Sequence, residues 1–153
     1  MKINDWLLKI YRFFFQSEKK EPSVTMGNNP CDSKEPPLHF KSMIVVNGTP
    51  NNNSIGNKEF VAVIHEKAPF WALFRCPCGC GTVISLSLQK IHKPNWTLTR
   101  TKDGRPTLYP SVWQNKGCCS HFWIKDGRVL WCKDSGIEPW VANPKIYSRP
   151  RSA

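Results

Sequence analysis

Two cysteine clusters constrain this chain more than anything else in it: Cys76-Pro77-Cys78-Gly79-Cys80-Gly81 and, further on, Cys118-Cys119-Ser120-His121. Thiolates beside an imidazole are the donors that hold zinc in a tetrahedron at roughly 2.0–2.3 Å. A disulfide inside either cluster is disfavoured, because a bridge needs Cα atoms about 4.4–6.8 Å apart and matched side-chain directions. Gly79 and Gly81 suit a knuckle that wraps backbone amides around sulfur, a path that calls for positive φ or close approach. The preferred ligands are Cys76, Cys78, Cys118 and His121, with Cys80 able to replace Cys76 or Cys78. Four protein ligands make a closed, structural site. Catalytic zinc keeps a position for water and tends to have a carboxylate base nearby, and the two boxes contain neither Asp nor Glu. Cys119 and Cys132 are expected to pack as small hydrophobes.

At 153 residues the chain has room for one domain with a core, plus tails. Its seven cysteines are odd in number and clustered, unlike the spaced staples of a secreted disulfide framework, so a reducing cytoplasm is expected. Lys and Arg number 22 against 11 Asp and Glu, a formal net charge of +11 that attracts anionic partners without naming one. Lys9 and Arg12 interrupt the apolar run near the start before it becomes a signal peptide. No stretch reaches the roughly 18 consecutive apolar residues of a membrane span.

Residues 1–16 read as an amphipathic helix, with Trp6, Ile10, Phe13 and Phe14 at helical spacing. It packs on the domain's own core, docks a partner, or lies on a membrane surface, and Phe13-Phe14-Phe15 keeps the last two open. Residues 17–37 form a Lys, Glu, Pro, Ser and Asn-rich linker carrying a lone Cys31. The metal-binding β domain is expected over 38–134, followed by an irregular basic tail, 135–153. Strands are predicted at His39–Val46, Glu59–His65, Phe70–Phe74, Thr82–Leu88, Trp96–Thr101, Phe122–Lys125 and Arg128–Cys132, with hairpin turns at Asp103-Gly104 and Asp126-Gly127. Arg105–Trp113 reads as a further extended segment, and Pro106 and Pro110 place it at a sheet edge. The fold class is therefore mainly β: a small antiparallel sheet or barrel-like domain with zinc-ribbon or Rieske-like knuckles, the metal tying two hairpins together.

The CxCGCG box at Cys76, the stretch Leu108-Tyr109-Pro110-Ser111-Val112 and the box Cys118-Cys119-Ser120-His121-Phe122-Trp123-Ile124 resemble a bacterial domain family of unassigned activity over roughly Phe40 to Cys132. Some members of that family are encoded beside bacterial ubiquitin-like conjugation genes in anti-phage defence operons. The resemblance implies a protein partner among the components of such a pathway. The boxes are also similar to Rieske loops: Cys118-x-x-His121 fits the second loop, but Cys78 stands where the first has histidine, which weakens a high-potential iron–sulfur centre and favours zinc.

Function follows along the same lines. The leading expectation is a zinc-stabilised binding or accessory module in a ubiquitin-like conjugation pathway, with Trp113, Phe122, Trp123 and Trp131 building core and surface. A nucleic-acid binder is the alternative, since Lys90, Lys93, Arg100, Lys102 and Arg105 surround Trp96, although such charges also serve to solvate strand edges. An iron–sulfur redox protein is third. His92 is expected in a surface loop, and His39 and His65 carry no special role. No glycine-rich phosphate loop, serine nucleophile elbow or pair of carboxylates placed for acid and base work is visible, so the reading leans away from an enzyme.

Overall fold

The structure is a computed structural model that describes residues 35–147. The amphipathic segment 1–16, nearly all of the linker and Cys31 lie outside the described residues. Among the described residues the fold is mainly β, with two four-stranded sheets. The first orders β1 (Met43–Val46), β2 (Phe60–His65), β3 (Ala68–Arg75) and β4 (Val83–Ser87) in sequence. The second does the same with β5 (Thr97–Arg100), β6 (Pro106–Trp113), β7 (His121–Lys125) and β8 (Arg128–Trp131).

Chain punctuation explains most of this order. Asp126 and Gly127 adopt φ of 49° and 77°, the left-handed pair of a tight hairpin between β7 and β8, and Gly104 at φ 82° turns the chain between β5 and β6. The β2–β3 hairpin closes through Glu66 and Lys67, both at positive φ, without the glycine or asparagine that would announce it. Only β1 departs from antiparallel pairing. It runs parallel to β2, Met43 opposite Phe60, because the intervening loop carries the chain back over a short 3-10 turn, Asn52–Ser54, capped by the Asn51 side chain.

Two expectations need correcting here. The segment from Pro106 is not an edge strand: β6 lies inside its sheet, between β5 and β7. Its prolines are tolerated because Pro106 is the strand's first residue and Pro110 falls where the β6–β7 register shifts between Leu108 and Val112. The tail after Asp134 is not wholly irregular either, since Pro139–Ala142 (α1) and Pro144–Tyr147 (α2) form single helical turns, each begun by proline.

An aromatic cluster joins the sheets. Phe60 and Phe74 of the first sheet stack at 5.2 Å, Phe40 meets both edge-on, and Phe74 reaches Phe122 of the second sheet at 6.4 Å. All four side chains are fully buried. The opposite face of the first sheet is covered as well, by Ile55 packed with Val61, Val63 and Leu73, so Phe60 through Val63 are buried on both sides. Such two-sided burial explains why β2 reads as a continuous apolar run instead of alternating. No helix among the described residues is long and apolar enough to cross a membrane.

Candidate active site and metal centre

The first cysteine box is the turn between β3 and β4. Cys76 N–H donates to the Thr82 carbonyl at 2.8 Å and Gly79 N–H to the Cys76 carbonyl at 3.1 Å, while Gly79 and Gly81 take φ of 87° and 82°. Arg75 braces the turn from below, donating to the carbonyls of Gly81 at 2.8 Å and Ile55 at 2.6 Å. Cys118 arrives from the other sheet, in the loop before β7, and its sulfur stands 3.8 Å from that of Cys76. Cys76 and Cys78 sulfurs are 3.3 Å apart, and the Ser120 hydroxyl donates to the Cys118 sulfur at 3.2 Å.

The sulfurs of Cys76, Cys78, Cys80 and Cys118 lie within 4.8 Å of one another, an arrangement positioned to hold a metal ion. Burial raises the Cys76 thiol well above its usual range, whereas hydrogen bonds from Thr82, side chain first and then backbone, hold Cys80 down to about 6. A cation bound among the sulfurs would supply the charge that the buried thiolate lacks, so the donor set fits a metal. The centre bridges one hairpin of the first sheet and the entry to β7 of the second.

His121 does not belong to this sulfur cluster. It is the first residue of β7 and pairs directly with Trp113 of β6, so the two side chains share one face of the sheet. They stack in parallel, with ring centroids 4.1 Å apart and planes 3° from parallel. Two residues back along β6 stands Ser111, on the same face. Between Leu108 and Val112, β6 spends three residues where β7 spends one, and this bulge turns Ser111 toward His121. Its hydroxyl is 3.0 Å from His121 Nε2. Asp134, in the turn after β8, brings Oδ1 to 2.6 Å from His121 Nδ1.

A carboxylate only accepts, so Nδ1 carries the imidazole proton and donates it to Asp134, and Nε2 is left to accept from the Ser111 hydroxyl. Hydroxyl, imidazole and carboxylate stand here in the order and at the spacing of a Ser-His-Asp triad. The backbone that carries the pair is pinned on both strands. The backbone N–H of His121 donates to Ser135 Oγ at 3.0 Å, the His121 carbonyl accepts from Cys132 N–H at 2.9 Å, and the Trp96 indole donates to the Ser111 carbonyl at 3.2 Å. Trp113 fixes its own ring by donating to the Ile137 carbonyl at 3.3 Å. Cys132 lies beside the pair, and its thiol is pushed up by burial first and then by the negative charge of Asp134.

From the sequence His121 is expected as a metal ligand and Ser111 stands only as part of a box. Asp134 entered only as the end of the domain. A signal was present in Pro-Ser-Val followed by Ser-His, but a serine in a strand bulge lacks the strand-to-helix elbow that marks a nucleophile in sequence. Of the other residues singled out, His92 is exposed and bonds Ser87 Oγ through Nδ1 at 2.7 Å. Lys90, Lys93 and Lys102 are exposed, and Arg105 pairs with Asp103 at 2.9 Å. Cys119 is buried, as expected of a packed thiol.

No curated protein and no solved structure matches the chain. One family model does, over residues 45–132, a span that contains the cysteine box, Ser111, Cys118 and His121 and ends just before Asp134. The match covers more than half of the 153 residues, and the chain belongs to the bacterial ubiquitination-like system serine protease (BubE) family.

Proposed function

We propose that this protein is a serine hydrolase in which Ser111 is the nucleophile, His121 the general base and Asp134 the carboxylate that orients it. The bond it cleaves is the acyl bond joining the C-terminus of a ubiquitin-like modifier to a target or to the rest of its own precursor. One observation carries the reading: the continuous chain from Ser111 Oγ to His121 Nε2 at 3.0 Å and from His121 Nδ1 to Asp134 Oδ1 at 2.6 Å. The substrate class rests on the family description, which names a ubiquitination-like system.

In the reaction Ser111 Oγ attacks the carbonyl carbon while its proton passes to His121 Nε2. The resulting imidazolium is stabilised by Asp134, and it returns the proton to the leaving nitrogen or oxygen as the tetrahedral intermediate collapses. Water then repeats the sequence on the acyl-enzyme and frees Ser111. Next to the triad, on the same outward face, Tyr109 and Trp123 stand exposed with ring centroids 6.0 Å apart, an apolar platform for an extended chain end. The binding module expected from the boxes thereby acquires a chemistry.

The four cysteines, with His121 left to the triad, are the ligand set of this reading, and zinc is the metal. A closed set of four thiolates leaves no place for water, so the ion's contribution is structural: it ties the β3–β4 turn to the loop that delivers His121. Elemental analysis with an absorption spectrum separates zinc from iron. For the hydrolase, a fluorophosphonate probe followed by peptide mass spectrometry is the direct test. Label on Ser111, lost in Ser111→Ala and in His121→Ala with the fold retained, supports the reading, and a folded protein that takes no label overturns it.

A further inference from the structure

Cys132 has no part in the hydrolytic steps, yet it sits among groups that do. One ring nitrogen of His121, the Cys132 sulfur and a carboxylate oxygen of Asp134 lie within 4.8 Å of one another, and all three residues are half-buried and so open to solvent on one side. Sulfur, nitrogen and oxygen of this kind are the donors of a three-ligand zinc site whose fourth position is left for water. The same strand return that brings Asp134 to the imidazole delivers Cys132, whose backbone N–H is bonded to the His121 carbonyl at 2.9 Å.

We infer that His121, Cys132 and Asp134 form a second, reversible metal site, taking zinc or a similar soft divalent cation, and that its occupation switches the hydrolase off. The inference rests on the triad reading above and adds regulation to it. Tetrahedral bonds of about 2.0–2.3 Å hold ligand atoms about 3.3–3.8 Å apart, so around an ion the His121–Asp134 pair opens from its 2.6 Å hydrogen bond while the Cys132 sulfur closes in. The proton count is definite. Binding releases the Cys132 thiol proton to solvent. A metal on Nε2 takes the lone pair that would accept the Ser111 proton. A metal on Nδ1 displaces the proton there, the neutral imidazole then carries its proton on Nε2, and again no base faces Ser111. On Nδ1, the nitrogen that Asp134 faces, the metal also takes as a ligand the carboxylate oxygen that orients the ring. The four-cysteine centre is a separate site with its own ligands, so one chain would hold a permanent ion and an inhibitory one.

The experiment uses the full chain with the four-cysteine centre already loaded. Fluorophosphonate labelling of Ser111 is timed across buffered free zinc concentrations in the wild type and in Cys132→Ser, each referred to its own rate without added zinc. The wild-type rate should fall at least tenfold and recover when free zinc is lowered. Since losing even an outer-shell partner costs about 10–100-fold in metal affinity, Cys132→Ser should need at least about tenfold more zinc for the same inhibition. A readout independent of labelling uses cobalt on Ser111→Ala: a further equivalent should bind with thiolate-to-cobalt charge-transfer absorption, and Cys132→Ser should lose that band. Labelling indifferent to zinc, a Cys132→Ser variant inhibited at the wild-type concentration, or no further cobalt site each overturns the inference. Absence of labelling in the loaded wild type without added zinc overturns the triad reading instead, and the cobalt titration then decides the metal site by itself.

Discussion

Asp134→Asn isolates the part of the triad that the structure makes most quantitative. The carboxylate oxygen is 2.6 Å from His121 Nδ1, and the two side chains are 32% and 14% exposed. While the imidazole is neutral this is a hydrogen bond. When Ser111 gives up its proton, the ring becomes cationic and the contact becomes an ion pair. Opposite charges at that separation attract by about 6 kcal/mol at an effective dielectric of about 20, and by about 3 kcal/mol at about 40, the more suitable value for a carboxylate a third exposed. Asparagine removes the charge, and its amide can donate to Nδ1, leaving the ring proton on Nε2, where it blocks the base. A loss of 3 to 6 kcal/mol in the transition state corresponds to a rate lower by about 10² to 10⁴. The assay is the second-order rate constant for fluorophosphonate labelling of Ser111, with metal content and circular dichroism confirming that the variant keeps its fold. A variant that labels within threefold of the wild type would show that Asp134 does not serve His121, and the triad assignment would fall with it.

Further expectations concern the supports of the site and of the sheets. Trp113→Ala removes the ring stacked on His121 at 4.1 Å; an aromatic contact of about 0.5–1.5 kcal/mol predicts labelling slower by about 2–12-fold, with Trp113→Phe recovering most of the rate. Cys118→Ser breaks the link between the sheets at the sulfur centre, and a loss of 2 kcal/mol or more should lower the thermal midpoint by about 4–8 °C at least; a shift under 2 °C would mean that the centre is not structural. Gly127→Ala should unfold the domain in a urea titration where Gly104→Ala costs only about 1–2 kcal/mol. Both glycines sit near φ 80°, but a Cβ on Gly127 collides with the Phe40 carbonyl oxygen and one on Gly104 meets nothing.

Much of this architecture is written locally in the chain. The Asp103-Gly104 and Asp126-Gly127 turns, the apolar runs of β2 to β4 and the alternation through β7 each depend on neighbouring residues, and each is legible for that reason. Glu66-Lys67 is a turn without turn residues, held because the strands on either side pair so extensively that they impose it. The prolines of β6 mislead as edge markers because the bulge that excuses Pro110 exists only once β6 and β7 are paired.

The two sites divide in the same way. The first cysteine box determined from sequence alone that Cys76, Cys78 and Cys80 would gather, because their spacing within one turn is a local property, and so are the glycines that let the turn form. Which of the candidate ligands gather, and which groups stand beside His121 instead, only the tertiary structure decided. Ser111, His121 and Asp134 come from a bulge, a strand start and a loop, and none is placed relative to the others by sequence spacing. Three strands of one sheet must pair, with β6 slipping two residues against β7, before a hydroxyl, an imidazole and a carboxylate fall into line on one face. Three of the four thiols share one turn and can be read from local spacing, whereas the arrival of Cys118 and the alignment of Ser111, His121 and Asp134 depend on how distant segments pair.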